Sequence, residues 1–579
     1  MPTRHPAFLV AVDTENLSVT GYPAPRHHGD VILAFSGYLH GRDSSPPVDD
    51  LRTLAKAYGS SGPDLTATLL GAYAAVIVDP RQRLISLVQD SLGLQPVFFS
   101  QIGTSLEVST RLEWLAARAP SSTIDEEYFA EYLLSAQYPQ MRTPYSSIRR
   151  LSGGHALTFS ARGHRRCWRP WSPASERRVP PWEQAAEEVA ALVTEAVEGQ
   201  LPDRGHVACE LSGGLDSTTV FVTARQRRTD VSALTVVNSA SPVANDDEMA
   251  AAVVSSAGAT WHRLDVALYP PYASVPDQFS PEPGTEIDYG IRQPYRQFLT
   301  THRVYAVLSG LGGDIIFGGP GSRPLFLADA VSSGRLIHAR QLSRRWSETA
   351  RPRRHWSKPL LQAGVTTAWR HWRRHRLNLA ANAPAPGWLA PGLRDAGRPQ
   401  RWRRQQLPRV SRPSQQLMWE LIHETAVSLG AARHPHLNVE MRHPLLYRPL
   451  VEYMAALDTA FTFSPEGDRR LQRIALADRL PSLIRDRTSK GNPQHGYDLA
   501  LARSGAWFSA LTNESRLVSR GLVVADEWQA ELARARLGVI PNRPQLEASM
   551  MAEWWLRSIE TCSPSPCPTL ANPVSSEHD

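Results

Sequence analysis

The stretch HVACELSGGLDSTTVFVTARQ, residues 206–226, decides the architecture of this chain. HVACEL is short, apolar and compatible with a β-strand, and TTVFVTARQ can continue as a helix, so SGGLDS between them reads as a tight strand-to-helix turn. Gly213 and Gly214 let backbone N–H groups turn inward with no Cβ in the way, and the following helix directs its positive end at the same spot. The turn is therefore a cradle for an anion such as phosphate. Asp216 is the odd member: a carboxylate repels phosphate unless a cation lies between them, and Mg²⁺ held by one or two carboxylates plus phosphate oxygens is the usual arrangement. The stretch predicts a metal-bound polyphosphate, against the plainer alternative of an ordinary turn capped by Ser or Asp.

Working outward, strand-like VSALTVVNS (231–239) and YAVLSG (305–310) alternate with helical stretches such as DDEMAAAVVSSAG (246–258). That alternation predicts a parallel, helix-flanked sheet, an α/β domain of the doubly wound type. A second glycine-rich turn, SGLGGDIIFGG (309–319), follows the later strand. In an open α/β sheet both turns face the carboxyl ends of the strands, where ligands bind, so Asp216 and Asp314 are expected to share a metal. No GxxxxGK[ST] occurs, and GLGGDI (310–315) ends in isoleucine where the dinucleotide fingerprint needs Gly or Ala, which argues against a P-loop kinase and a dehydrogenase.

Residues 1–168 hold short β-type runs: AFLVAVD (7–13), VILAFSGYL (31–39), GAYAAVIVD (71–79), RLISLVQD (83–90), PVFFS (96–100) and HALTFS (155–160). They predict a compact α+β domain rich in antiparallel sheet. The proline-rich 169–184 reads as a linker, 185–560 as the second domain, and 561–579 as a disordered tail. At 579 residues the chain is too long for one core, and no apolar run approaches the roughly 18 residues that span a bilayer, so a cytoplasmic protein is expected. Its four cysteines, Cys167, Cys209, Cys562 and Cys567, lack metal-site spacing. The net charge of +7 is concentrated: residues 330–410 carry 18 Lys and Arg against Glu348 and Asp395, leaving the rest of the chain at −9. This Trp-bearing basic segment suits an acidic partner or nucleic acid, or is a solvated helical face anchored by its tryptophans; no nucleic-acid module is recognisable.

SGGLDS (212–217), the DDE of 246–248 and SGLGGDxxFGG together resemble the ATP-pyrophosphatase domain of the asparagine synthetase family, whose members adenylate a carboxylate and pass it to an amine. LLGAYAAVIVDPRQRLISLVQDSLGLQPVFF (69–99) and TPYSSIRRLSGGHAL (143–157) resemble that family's glutaminase-type domain, an Ntn-type, sandwich-like fold. VEMRHPLLYRPLVEYMAAL (439–457) and LPSLIRDRTSKGN (480–492) resemble its helical synthetase segments. The resemblance implies ATP and Mg²⁺ as cofactors. It implies nucleotide contacts at Leu211, Ser212, Gly213, Gly214, Leu215, Asp216 and Ser217, at Val237, and at Gly310, Gly312 and Gly313, with Asp216 and Asp314 on the metal. Lys490 matches the lysine the family places at the acyl-transfer oxyanion, and Glu424 lies near its second proton-handling acid.

The departures are as informative. Pro2 stands where a working glutaminase has its cysteine, and Ser36-Gly37-Tyr38 replaces the Asn-Gly-Glu pattern that holds glutamine. The degenerate domain implies a nitrogen source other than glutamine: ammonia, a second substrate, or an amine on the same molecule. Intramolecular closure is the chemistry of two branches of the family, the β-lactam synthetases and the lasso-peptide macrolactam cyclases. Leu311 stands where asparagine synthetases carry glutamate and β-lactam synthetases a tyrosine of a proton-accepting dyad. Leucine takes no proton, which a peptide α-amine tolerates because its pKa of about 7.7–8.0 leaves a fraction neutral at pH 7. The closest resemblance is thus to a lasso-type cyclase, implying a precursor peptide as substrate, with a leader peptidase and a leader-binding protein as partners.

Overall fold

A computed structural model of the chain describes residues 7–570 except 41–46, 119–123, 161–162, 175, 240–245, 274–275, 277, 285–286, 288, 319–324, 350–354, 374–384, 396–409, 432–438, 465–466, 488–493 and 564–566. Two antiparallel sheets build the amino-terminal part. One runs in the order Val19–Tyr22, Leu9–Asp13, Ser105–Ser109, Phe98–Ile102, Arg149–Arg150; the other runs Arg165–Trp168, Ala156–Ser160, Leu84–Gln89, Gly71–Asp79, Val31–Leu39, Arg26–His28. Alternate residues of both, among them Val10, Val108, Val76 and Leu87, meet in one apolar cluster, the outcome of period-two patterning.

The second part is built on a five-stranded sheet ordered Trp261–Asp265, Ser232–Val237, His206–Glu210, Val304–Leu308, Glu440–Arg442, with every pair parallel. Helix Leu215–Arg227 follows the central strand directly, as the opening stretch predicts, and helix Asp246–Ala257 lies where DDEMAAAVVSSAG places it. Two strands escape the sequence reading. Trp261–Asp265 has no fully buried residue, and no apolar run announces it. Glu440–Arg442 opens a stretch expected to be helical, and is instead an edge strand whose neighbour Val304–Leu308 supplies its hydrogen bonds; the helix starts only at Arg448.

The boundary regions also differ from expectation. The linker is tied down: Trp171 is buried edge-on against Trp419, Arg177 pairs with Asp458, and helix Trp182–Glu198 already begins inside it. The tail expected to be disordered contributes Cys567 and Leu570 to the apolar cluster around the long helix Arg543–Thr561. That helix packs on Glu126–Ser135 through Phe129 and Trp555, so the two parts of the chain share a core. Arg150 of the first part also forms a buried ion pair with Glu282 of the second, whose carboxyl is pushed up to about 7 chiefly by burial.

Candidate functional site: two interlocked turns at the sheet edge

Strands His206–Glu210 and Val304–Leu308 are neighbours, so the turns that leave their carboxyl ends lie side by side. Their contact is tight enough to be read from glycines. A Cβ on Gly313 would stand 2.3 Å from the Asp216 carboxyl carbon, and one on Gly310 would stand 2.4 Å from the Ser217 amide nitrogen. Only glycine lets the second turn press against the first. The turns are braced internally as well. Ser212 N–H donates to Ser217 Oγ at 3.1 Å, the Ser212 and Ser217 hydroxyls are 3.1 Å apart, and Ser217 Oγ donates to Gly214 O at 3.3 Å. The two hydroxyls expected to face phosphate thus act, in this structure, as turn braces. Ser309 does the same for the second turn: Leu311 N–H donates to its Oγ, which also meets His443 Nδ1 at 2.9 Å.

Leu211 and Val237 are buried at the ends of adjacent strands, and Leu211 N–H donates to Leu234 O, so they form an apolar floor beside the turn. Leu215 starts the helix with Gly214 as its extended cap, and Gly312 takes a left-handed conformation beneath Leu446. Asp216 and Asp314 come together as expected, but neither is left to a metal alone. Arg469 bridges them, one terminal nitrogen 2.7 Å from Asp216 Oδ2 and the other paired with Asp314. Gln472 Nε2 donates to Asp216 Oδ1 at 3.0 Å. Among the described residues, no group of three or more His, Cys, Asp or Glu is arranged to hold a metal ion. Two hard carboxylates beside a phosphate cradle suit Mg²⁺ in donor type, and Arg469 is the cation they hold here.

Glu424 lies half-buried on helix Pro413–Ala431, which packs against the short helix Gly313–Ile316 that carries Asp314. Lys490 lies outside the described residues. Arg487, three positions before it in the sequence, donates to Gly213 O at 3.1 Å. Arg469, Gln472 and Arg487 carry no motif of their own, and only their contacts identify them. The same holds for Glu210, whose carboxylate accepts from Tyr295 Oη at 2.9 Å two residues before Ser212 and whose pKa burial raises.

In the amino-terminal part, Tyr38 is buried with its ring 4.5 Å from the Arg442 guanidinium, and Gln95 Nε2 donates to Ser36 Oγ at 2.6 Å. Tyr38 thereby packs against the edge strand Glu440–Arg442 of the parallel sheet. Adding glutamine to the purified chain should release no glutamate above the protein-free control in a coupled glutamate assay. Catalytic release would contradict this reading of Tyr38.

Comparison with known proteins agrees with this geometry. The asparagine synthase family profile matches residues 188–557, and a glutamine amidotransferase domain profile matches residues 47–171. Asparagine synthetase [glutamine-hydrolyzing] 3 of Bacillus subtilis is 28% identical over 178 residues, 30% of this chain and 28% of that protein. A putative asparagine synthetase [glutamine-hydrolyzing] 2 of Methanocaldococcus jannaschii is 24% identical over 309 residues, 50% of this chain and 59% of that one. The chain therefore spans less than two thirds of the length of these relatives. A solved glutamine phosphoribosylpyrophosphate amidotransferase from B. subtilis aligns with 48% of this chain and 78% of its own at 11% identity and a TM-score of 0.19, a likeness too slight to bear on function. Two interlocked turns at the carboxyl edge of a parallel sheet, inside a profile match that covers most of the chain, make this protein a member of the asparagine synthase family.

Proposed function

We propose that the protein is an ATP-dependent, AMP-forming carbon–nitrogen ligase that closes a macrolactam on a peptide, joining an Asp or Glu side-chain carboxylate to the peptide's own α-amine. The observation that supports the reading is the close packing of the two glycine-rich turns beside altered nitrogen-handling positions. The turns around Asp216 and Asp314 interlock, while Leu311 replaces a proton-handling residue and Tyr38 packs on Arg442.

The chemistry follows from charge. A carboxylate is inert towards amines until one oxygen becomes a good leaving group, so it attacks the α-phosphorus of ATP and pyrophosphate departs. Negative charge builds on the phosphates, and the backbone N–H groups of the 212–217 turn, with Arg469 at its rim, are placed to offset it. Asp216 and Asp314 would hold Mg²⁺, which would supply charge neutralisation at the phosphates. The amine then attacks the acyl carbon, a tetrahedral oxyanion forms, the amine loses its proton, and AMP leaves. Lys490 is assigned to that oxyanion, an interaction of order 3 kcal/mol for one fixed donor. Glu424 is assigned as an acid that handles the proton.

Holding a peptide folded for ring closure costs loop entropy, which explains a need for partners. The precursor peptide, a leader peptidase and a leader-binding protein belong to this proposal. The basic segment is its proposed docking surface. Trp346 anchors it against Phe326 and Leu327, Trp356 lies beneath Arg340 and Arg344, and Trp369 and Trp372 stay exposed, the latter by 74%.

The test is product analysis with ATP, Mg²⁺ and a candidate precursor peptide. AMP, pyrophosphate and a peptide lighter by one water are expected. ADP and phosphate as the products would refute the adenylation mechanism.

A further inference from the structure

Arg469 is held in a way that ordinary packing does not require. Its backbone is left-handed, with φ +52° and ψ +33°, a conformation rarely taken by a residue with a side chain. Its side chain is 7% exposed, and its Nε is buried with no hydrogen-bond partner among the described residues. Both terminal nitrogens are spent on the two carboxylates that the site offers to a divalent cation. Asp216 is saturated further by Gln472, whose Nε2 also reaches Thr219 Oγ1 at 3.2 Å. Asp314 is the open end of the arrangement, its side chain 51% exposed.

We propose that Arg469 is a resident counter-ion that closes Asp216 and Asp314 to free divalent cations and yields them only to metal arriving on a triphosphate. The guanidinium offsets part of the charge of the two carboxylates, which weakens their pull on a cation that holds its water as tightly as Mg²⁺ does. A metal ion alone would also have to break two charge-assisted hydrogen bonds and leave the guanidinium buried without an anion. A metal–triphosphate removes that obstacle. The phosphate oxygens give Arg469 a new partner in the cradle of the 212–217 turn, a few ångströms from where it stands, and the carboxylates are released to the metal at the same moment. No bond is made or broken; the step is an exchange of ion pairs. The left-handed backbone at Arg469 fits a residue that changes partners during the cycle. The inference rests on the proposed nucleotide site and not on the identity of the peptide.

The experiment uses the full chain and Mn²⁺ as the probe, with free Mn²⁺ followed by electron paramagnetic resonance. Without nucleotide, the wild-type protein should bind Mn²⁺ only weakly, and Arg469→Gln should bind one ion about tenfold or more tightly, the scale of one charge-assisted pair. Arg469→Lys should fall between them, because one ammonium serves one carboxylate well and two poorly. With α,β-methylene-ATP present, the wild-type protein should take up the Mn²⁺–nucleotide complex at least as tightly as Arg469→Gln, and a wild-type protein that stayed about tenfold weaker would also overturn the proposal; thermal melting checks that all three proteins are folded. Equal Mn²⁺ affinity in the nucleotide-free wild-type protein and Arg469→Gln would overturn the proposal. If Arg469→Gln melts early, the comparison of wild type with Arg469→Lys decides it: tighter binding by the lysine variant supports the counter-ion role, and unchanged binding refutes it. Because no peptide enters the assay, failure of ring closure and failure of this exchange are separate results.

Discussion

Gly313→Ala and Asp216→Asn are each expected to lower ATP–pyrophosphate exchange by about a thousandfold, for different physical reasons. The alanine methyl would meet the Asp216 carboxyl at 2.3–2.4 Å, so the second turn must retreat and the pair of carboxylates separates. The asparagine keeps the volume but removes the charge that Arg469 and Gln472 are arranged around, leaving a buried guanidinium short of an anion. Asp314→Asn belongs to the same group, with a smaller effect because that side chain is half exposed. A fitting control is Gly392→Ala, in the short helix Pro391–Asp395, where an added Cβ meets nothing within 4 Å. Exchange rates with a saturating peptide, alongside melting curves, measure all four. Full exchange activity in Gly313→Ala would mean that the interlock is not the nucleotide site.

The second large effect separates the two chemical steps. A precursor peptide with an acetylated N-terminus should still support pyrophosphate exchange, since its carboxylate is unchanged, yet yield no ring. Lys490→Ala should act on the same side of the reaction, lowering ring formation by about a hundredfold or more while exchange changes little. Ring formation in the unmodified peptide should fall as pH drops below about 7.7–8.0, as the α-amine becomes protonated and loses its lone pair. Mass spectrometry of carboxypeptidase-treated product reads all three. An acetylated peptide that still lost one water and resisted digestion would identify another nucleophile and defeat the lasso-type reading.

What could be read without coordinates was local. SGGLDS lies between an apolar strand and a helix within twelve residues of itself, so its conformation follows from glycine freedom and helix-end charge. The period-two runs of the amino-terminal part are local in the same sense, and most of their strands fall within a residue or two of the expected bounds. Strand Glu440–Arg442 is different. It has three residues, two of them charged, and is a strand only because Val304–Leu308 offers it an edge. Its last carbonyl, at Arg442, also accepts from Ser309 N–H and so helps to set the second turn.

The amino-acid sequence by itself determined the two turns, the parallel, helix-flanked sheet that carries them, and the family to which the chain belongs. Tertiary structure alone decided who faces whom at the site. Arg469 is one of 63 Lys and Arg residues in the chain, and its partner Asp216 lies 253 positions away. Glu210 and Tyr295 are 85 positions apart and meet because their strand and helix pack across one face of the sheet. The conformation of the 212–217 turn and of the period-two strands is set by near neighbours, whose sterics are printed in the chain. A long-range ion pair depends on a fold that returns two distant segments to one place, and charge alone does not say which of many cations will arrive there.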